Sequence, residues 1–168
     1  MSEGDPLGPP EPLAEAHVVH TFECGTPALD DWLRRRAKGN QASGASRTFV
    51  VCRGSTVVAY YALAAGAIAA NEAPGRLRRN MPDPIPVIVL GRLAVHLDEQ
   101  GRELGSLLLR DAVLRTMGVA QSAGVAGILV DAISERAKDF YLRWGFVECP
   151  SRPLTLVARM KDLELLVG

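Results

Sequence analysis

The 168-residue chain is 48% hydrophobic and carries no net charge, a balance that suits one globular domain with a substantial core. Its three cysteines, Cys24, Cys52 and Cys149, are far apart and odd in number, which argues against a disulfide framework or a zinc site and for a reducing cytoplasm. No basic and apolar leader opens the chain, and no apolar run reaches the ~18 residues of a membrane span, so no membrane partner is expected.

Residues 1–15 hold four prolines and little periodicity and read as a flexible tail, leaving 16–168 as a single domain. Ala16 to Phe22 alternates and predicts a first strand. His17 and His20 within it lack the neighbours a metal site would need and read as structural. Thr26 as N-cap and Pro27 at the first helical position then open a helix over 28–38. Its apolar stripe is narrow, so Arg34, Arg35 and Lys38 face away from the core. Asn40 to Ser46 predicts a small polar loop. Arg47–Arg53 and Thr56–Ala64 are two strands joined at Gly54-Ser55, a hairpin whose second strand continues weakly to Ala70.

The charge is unevenly spread. No acid lies between Asp31 and Glu72, whereas Arg34, Arg35, Arg36, Lys38, Arg47 and Arg53 fall inside that interval and Arg76, Arg78 and Arg79 follow. A basic zone on a neutral chain points to a polyanionic partner on one face, against the plainer alternative of a solvated helix and loop.

Val87 to Val95 is a near-continuous apolar run and predicts a central strand, followed by a glycine-bearing loop and a helix over Leu104 to Met117. Backbone N–H groups at the start of that helix, with the helix dipole, suit a phosphate, and Gly101 and Gly105 allow close approach. Gly91 inside the strand is expected to mark a bulge that frees polar groups for a ligand. A buried strand over 124–131, a helix over 134–144 capped by Ser134, a left-handed turn at Gly145, strands over 146–149 and 154–160, and a short helical end complete the chain.

Gln100-Gly101-Arg102-Glu103-Leu104-Gly105, after Arg92 to Val95, resembles the acyl-CoA loop of the GNAT superfamily of N-acyltransferases, whose pattern is Gln or Arg, two residues, Gly, one residue, then Gly or Ala. Glu103 departs from it by standing where the first motif Gly belongs. Turned outward, its carboxylate favours the helix dipole; turned inward, it would repel a pyrophosphate. Ala137, Phe140, Tyr141, Trp144, Gly145 and Phe146 resemble the second GNAT signature. The run from Leu29 to Ala37, with that from Asn40 to Val50, is similar to the acetyltransferase toxins of bacterial toxin–antitoxin pairs, which acetylate the amino acid on charged tRNA.

The resemblance implies a GNAT fold: an α/β chain with a mixed, mostly antiparallel sheet splayed at its central parallel strands and helices on both faces. It implies acetyl-CoA as donor, aminoacyl-tRNA as acceptor, and a separate antitoxin with a ribbon-helix-helix part. Tyr141 is then the candidate catalytic acid. Leu93, Ala94, Val95, Gln100, Gly101, Arg102, Glu103, Leu104, Gly105, Ser106, Ser134 and Phe140 are candidate cofactor contacts. Arg34, Arg35, Arg36, Lys38, Arg47, Arg76, Arg78 and Arg79 are candidate tRNA contacts. The chemistry stands apart from the family: a thiol leaving near ~8.5 is helped by a neighbouring phenol, and an α-amino group titrating near ~8 needs no strong base. His96, the nearest base candidate, reads as a strand end. Leu107 and Leu114 lie off the main apolar stripe and could serve a homodimer. Two other functions fit the same residues: acetylation of a small amine or protein N-terminus, and a non-catalytic module whose cofactor site Glu103 has spoiled.

Overall fold

The computed structural model describes residues 4–167. A seven-stranded mixed sheet runs in the order β1-β2-β3-β4-β5-β7-β6. Its strands are β1 (Glu11–Pro12), β2 (Arg47–Arg53), β3 (Thr56–Ile68), β4 (Ile85–Val95), β5 (Gly127–Asp131), β6 (Val147–Cys149) and β7 (Arg152–Arg159). The helices are α1 (Pro27–Arg35), α2 (Ala37–Ser43), α3 (Gly75–Arg78), α4 (Leu104–Ala120), α5 (Glu135–Arg143) and α6 (Met160–Val167). The chain groups into two compact units where the sequence predicts one domain. One holds the stretch up to Ala64 with Arg92–Asp111; the other holds Ala65–Gly91 with the stretch from Ala112 onward.

In the first unit the β2–β3 hairpin carries the core. Val50, Cys52, Val57 and Tyr60 share one buried cluster with Leu29 and Leu33 of α1, Ala37 of α2 and Ala94 of β4. Trp32 stacks on Tyr60 at 5.9 Å with ring planes 12° apart, and the Tyr60 hydroxyl donates to the Leu29 carbonyl at 2.7 Å, which fixes α1 to the sheet.

Three expectations fail here for physical reasons. Residues 16–22 are not a strand: only Val18 forms a bridge, to Thr56. Side chains take over the backbone groups that a ladder would use, with Lys38 Nζ donating to the Glu15 and His17 carbonyls at 2.9 and 2.8 Å. Nor do residues 11–13 hang free. β1 pairs with β2, the Leu13 N–H donates to the Thr48 carbonyl, and Leu13 is buried. Pro12 is tolerated because this strand lies at the sheet edge. Finally, the predicted 40–46 loop is helical as far as Ser43. Arg36 breaks the backbone between α1 and α2, and α2 ends on left-handed Gly44 (φ 81°).

In the second unit β4 and β5 run parallel, with Val87 to Leu90 opposite Gly127 to Val130, and β7 pairs antiparallel with both β5 and β6. Ile68, Leu77, Ile85, Val87, Leu129, Cys149 and Val157 form its core. The ladder to β5 ends at Leu90, while β4 runs on to Val95. At Gly127 the backbone of β7 leaves no room for a side chain: a Cβ there would sit 2.1 Å from the Ala158 carbonyl oxygen, which is backbone and cannot yield alone. Gly127→Ala is therefore expected to cost about 3 kcal/mol and lower Tm by roughly 6–12 °C in a thermal melt. An unchanged Tm would refute this close approach.

Candidate active site

The loop between β4 and α4 is held by side-chain hydrogen bonds and ion pairs. Gln100 Nε2 donates to the Val95 and Cys24 carbonyls, both at 2.9 Å, so this amide closes the loop onto the strand end. Glu99 is buried and receives Arg53 Nε and Nη2 at 2.7 and 3.0 Å; Arg53 holds its carboxylate below the usual range. Arg102 also reaches Glu99, at 3.2 Å, yet its side chain stays 59% exposed. His96 caps the turn over 97–99: its Nδ1 accepts the Asp98 N–H at 3.1 Å, and its ring meets Phe22 edge-on. It serves as the strand end that the sequence predicts.

The Leu107 N–H is bonded to the Glu103 carbonyl at 3.2 Å. The amides of Leu104, Gly105 and Ser106 thus lie ahead of the first closed turn, where helical N–H groups lack intrahelical acceptors. Gly101 is left-handed (φ 81°), with nothing within 4 Å of where a Cβ would stand. Such a donor set, with an exposed guanidinium beside it, fits a pyrophosphate. Glu103 is exposed and also left-handed (φ 64°), a conformation that Gly would adopt freely. Its carboxylate is open to solvent rather than packed into the loop. Of the strand residues, Ala94 is buried in the core, and Leu93 and Val95 are half-buried.

In the second unit the Ser134 Oγ accepts the Ala137 N–H at 3.1 Å and caps α5, as its sequence position predicts. Tyr141 near the end of α5 is 7% exposed, its ring 5.2 Å from Phe140 and 5.5 Å from Phe146. Among the described residues its hydroxyl has no hydrogen-bond partner, and burial pushes its pKa well above the usual phenol value. Tyr141 therefore presents a proton that nothing in its own unit occupies.

Burial pushes Cys24 and Cys52 up to about 11 and raises Cys149, so all three thiols stay protonated. Among the described residues no group of three or more His, Cys, Asp or Glu could hold a metal ion.

The basic residues divide by what they touch. Arg34 donates to the Phe22 carbonyl, Lys38 is spent on two carbonyls, and Arg47 donates to the Gln41 carbonyl at 2.8 Å. Arg76 lies 3.4 Å from Asp162. Arg35, Arg36, Arg78 and Arg79 are exposed. One residue that motif reading passes over is Arg92, stacked on Trp32 with its guanidinium carbon 4.3 Å from the ring centroid. An arginine inside an apolar strand pattern was the signal available.

The family model described as acetyltransferase (GNAT) domain matches residues 44–148. The chain belongs to the GNAT acetyltransferase family. Within it, this acetyltransferase is 51% identical over 159 residues to a tRNA-acetylating toxin of Mycobacterium tuberculosis (strain ATCC 25618 / H37Rv), covering 95% of this chain and 96% of that one. Among solved structures, the acetyltransferase is similar to AtaT complexed with acetyl-methionyl-tRNAfMet, with a TM-score of 0.89, 26% identity and coverage of 97% of this chain and 100% of that one. It is also similar to a Tyr-to-Phe variant of the AtaT toxin bound to the C-terminus of the antitoxin AtaR and acetyl-CoA, with a TM-score of 0.82, 27% identity and coverage of 96% and 98%.

Proposed function

We propose that this acetyltransferase moves the acetyl group of acetyl-CoA onto the α-amino group of aminoacyl-tRNA, and so blocks translation. The observation that carries the reading is the likeness, along nearly the whole of both chains, to a tRNA-acetylating toxin. The amides of Leu104 to Ser106, the open backbone at Gly101 and the guanidinium of Arg102 would hold the cofactor's phosphates, with Gln100, Glu103, Ser134 and Phe140 as further contacts. When bound, acetyl-CoA supplies an activated acetyl thioester. N–H groups of the Leu93 to Val95 segment would donate to the carbonyl oxygen as negative charge develops on it. The C–N bond would form from the neutral α-amino group as the C–S bond breaks, Tyr141 Oη would give its proton to the leaving sulfur, and the proton shed by the amine nitrogen would restore the phenol.

The exposed Arg35, Arg36, Arg78 and Arg79 would grip the tRNA backbone, and Arg34, Lys38, Arg47 and Arg76 would shape the surface around them. Residues 16–168 would act as one catalytic domain in the cytoplasm; among the described residues no helix is long and apolar enough to cross a membrane. A separate antitoxin with a ribbon-helix-helix part would neutralise the enzyme, in keeping with the AtaR-bound relative. Leu107 and Leu114 of α4, 44% and 43% exposed, offer apolar surface for a homodimer.

A cell-free translation reaction tests this. Added enzyme should stop synthesis only when acetyl-CoA is present, and fresh charged tRNA should restore it. Arrest without acetyl-CoA would contradict the proposal.

Glu103 gives a second check. A left-handed non-glycine residue costs roughly 1–2 kcal/mol, whereas an acid beside a helix N-terminus returns about 0.3–1 kcal/mol. The conformational cost wins, so Glu103→Gly is expected to raise Tm by a few degrees. Removing the carboxylate should also lower the KM for acetyl-CoA about threefold by steady-state kinetics. A raised KM would mean that the carboxylate assists the site.

A further inference from the structure

Arg92 on β4 is a half-buried cation that no carboxylate pairs with among the described residues. Its guanidinium carbon sits over the Trp32 ring, 4.3 Å from the centroid, Trp32 stacks on Tyr60, and the buried Tyr60 is tied to α1 through the Leu29 carbonyl. Stacking uses only the face of the guanidinium and leaves the N–H groups around its rim, a fork shaped for two oxygens of one phosphate. Withdrawing a cation partly from water without a counter-ion is costly, and an anionic ligand removes that cost.

Position narrows the ligand. Arg92 directly precedes Leu93 to Val95 and shares a strand face with Ala94, whose side chain lies in the same cluster as Trp32. The donor set for the cofactor's phosphates lies elsewhere, at the loop over residues 100–106. We infer that the Arg92–Trp32–Tyr60 stack binds the phosphodiester of the 3′-terminal nucleotide of the acceptor strand and so holds the attached amino acid at the β4 edge. This rests on the proposed tRNA substrate and adds the group that positions it. The phosphate is common to every tRNA, so the contact supplies affinity and register without choosing among amino acids.

The test compares two acceptors carrying the same amino acid, aminoacyl-tRNA and the aminoacyl ester of adenosine, which has no phosphodiester. Arg92→Gln should raise the KM for aminoacyl-tRNA about tenfold and reduce the salt dependence of log KM by about one phosphate contact, a slope change of ~0.7. On aminoacyl-adenosine, variant and unmodified enzyme should have the same KM, and the KM for acetyl-CoA should not move. Arg92→Lys, which keeps the charge and loses the planar fork, should fall between them on tRNA only. An equal rise in KM on both acceptors, an unchanged KM for tRNA, or a rise in the KM for acetyl-CoA would overturn the inference and leave the proposed function standing. No transfer to tRNA by the unmodified enzyme would overturn both.

Discussion

Tyr141→Phe is expected to lower kcat for acetyl transfer by about 10²–10³ while acetyl-CoA binds as before. The ring packs between Phe140 and Phe146, and its hydroxyl has no hydrogen-bond partner among the described residues, so removing one oxygen disturbs neither packing nor a buried bond. Calorimetry with acetyl-CoA and a thermal melt should therefore match the parent, and the loss should fall on kcat alone. The pH profile carries a sign. Burial raises the Tyr141 pKa, so the phenol keeps its proton beyond the ~10 of an ordinary tyrosine. The rate should climb as the acceptor amine loses its proton near ~8 and show no descending limb below pH ~10. A limb between those values, or a variant with full kcat, would remove Tyr141 from the acid role.

Reversing the exposed arginines should produce the second large effect. Arg35→Glu with Arg36→Glu, combined with Arg78→Glu and Arg79→Glu, is expected to raise the KM for aminoacyl-tRNA about 10²-fold and flatten its salt dependence. Acetyl-CoA affinity should be unchanged. Lys38→Glu should behave differently, since Lys38 Nζ satisfies the Glu15 and His17 carbonyls, and its reversal should appear first as a lowered Tm. Equal losses of tRNA and acetyl-CoA affinity in the fourfold variant would contradict the division between a phosphate-gripping surface and a cofactor loop.

That division also shows how far sequence can be read. Elements whose side chains answer to their own local pattern were legible: the β2–β3 hairpin around Gly54-Ser55, the central strand and α4, and α5 with Ser134 as cap and left-handed Gly145 after it. Elements defined by distant partners were not. Residues 16–22 alternate like a strand, but Lys38 claims the Glu15 and His17 carbonyls from a later helix. Asn40 to Ser43 reads as part of a polar loop, yet Ala37 at the start of the same helix is buried in the core and the Gln41 Oε1 accepts the Thr48 N–H at 2.8 Å, and these ties hold the helix.

The site divides in the same way. The loop proposed to hold the cofactor is written in glycines and a helix start, whereas the charge run from Arg34 to Lys38 says nothing of which cations are already spent. Glu103 was recognisable as the departure from the motif, and its left-handed backbone explains why Gly belongs there. Arg92 and Trp32 lie on different elements, 60 residues apart in sequence, and only their stacking brings them to notice.

Transfer of labelled acetyl from acetyl-CoA to a mixture of charged tRNAs, with uncharged tRNA alongside, tests the central claim most directly. Label is expected on charged tRNA only, released with the amino acid on mild alkaline hydrolysis and carried on its α-amino nitrogen. Label on uncharged tRNA, or none on any tRNA while a small amine or a protein N-terminus is acetylated, would contradict it.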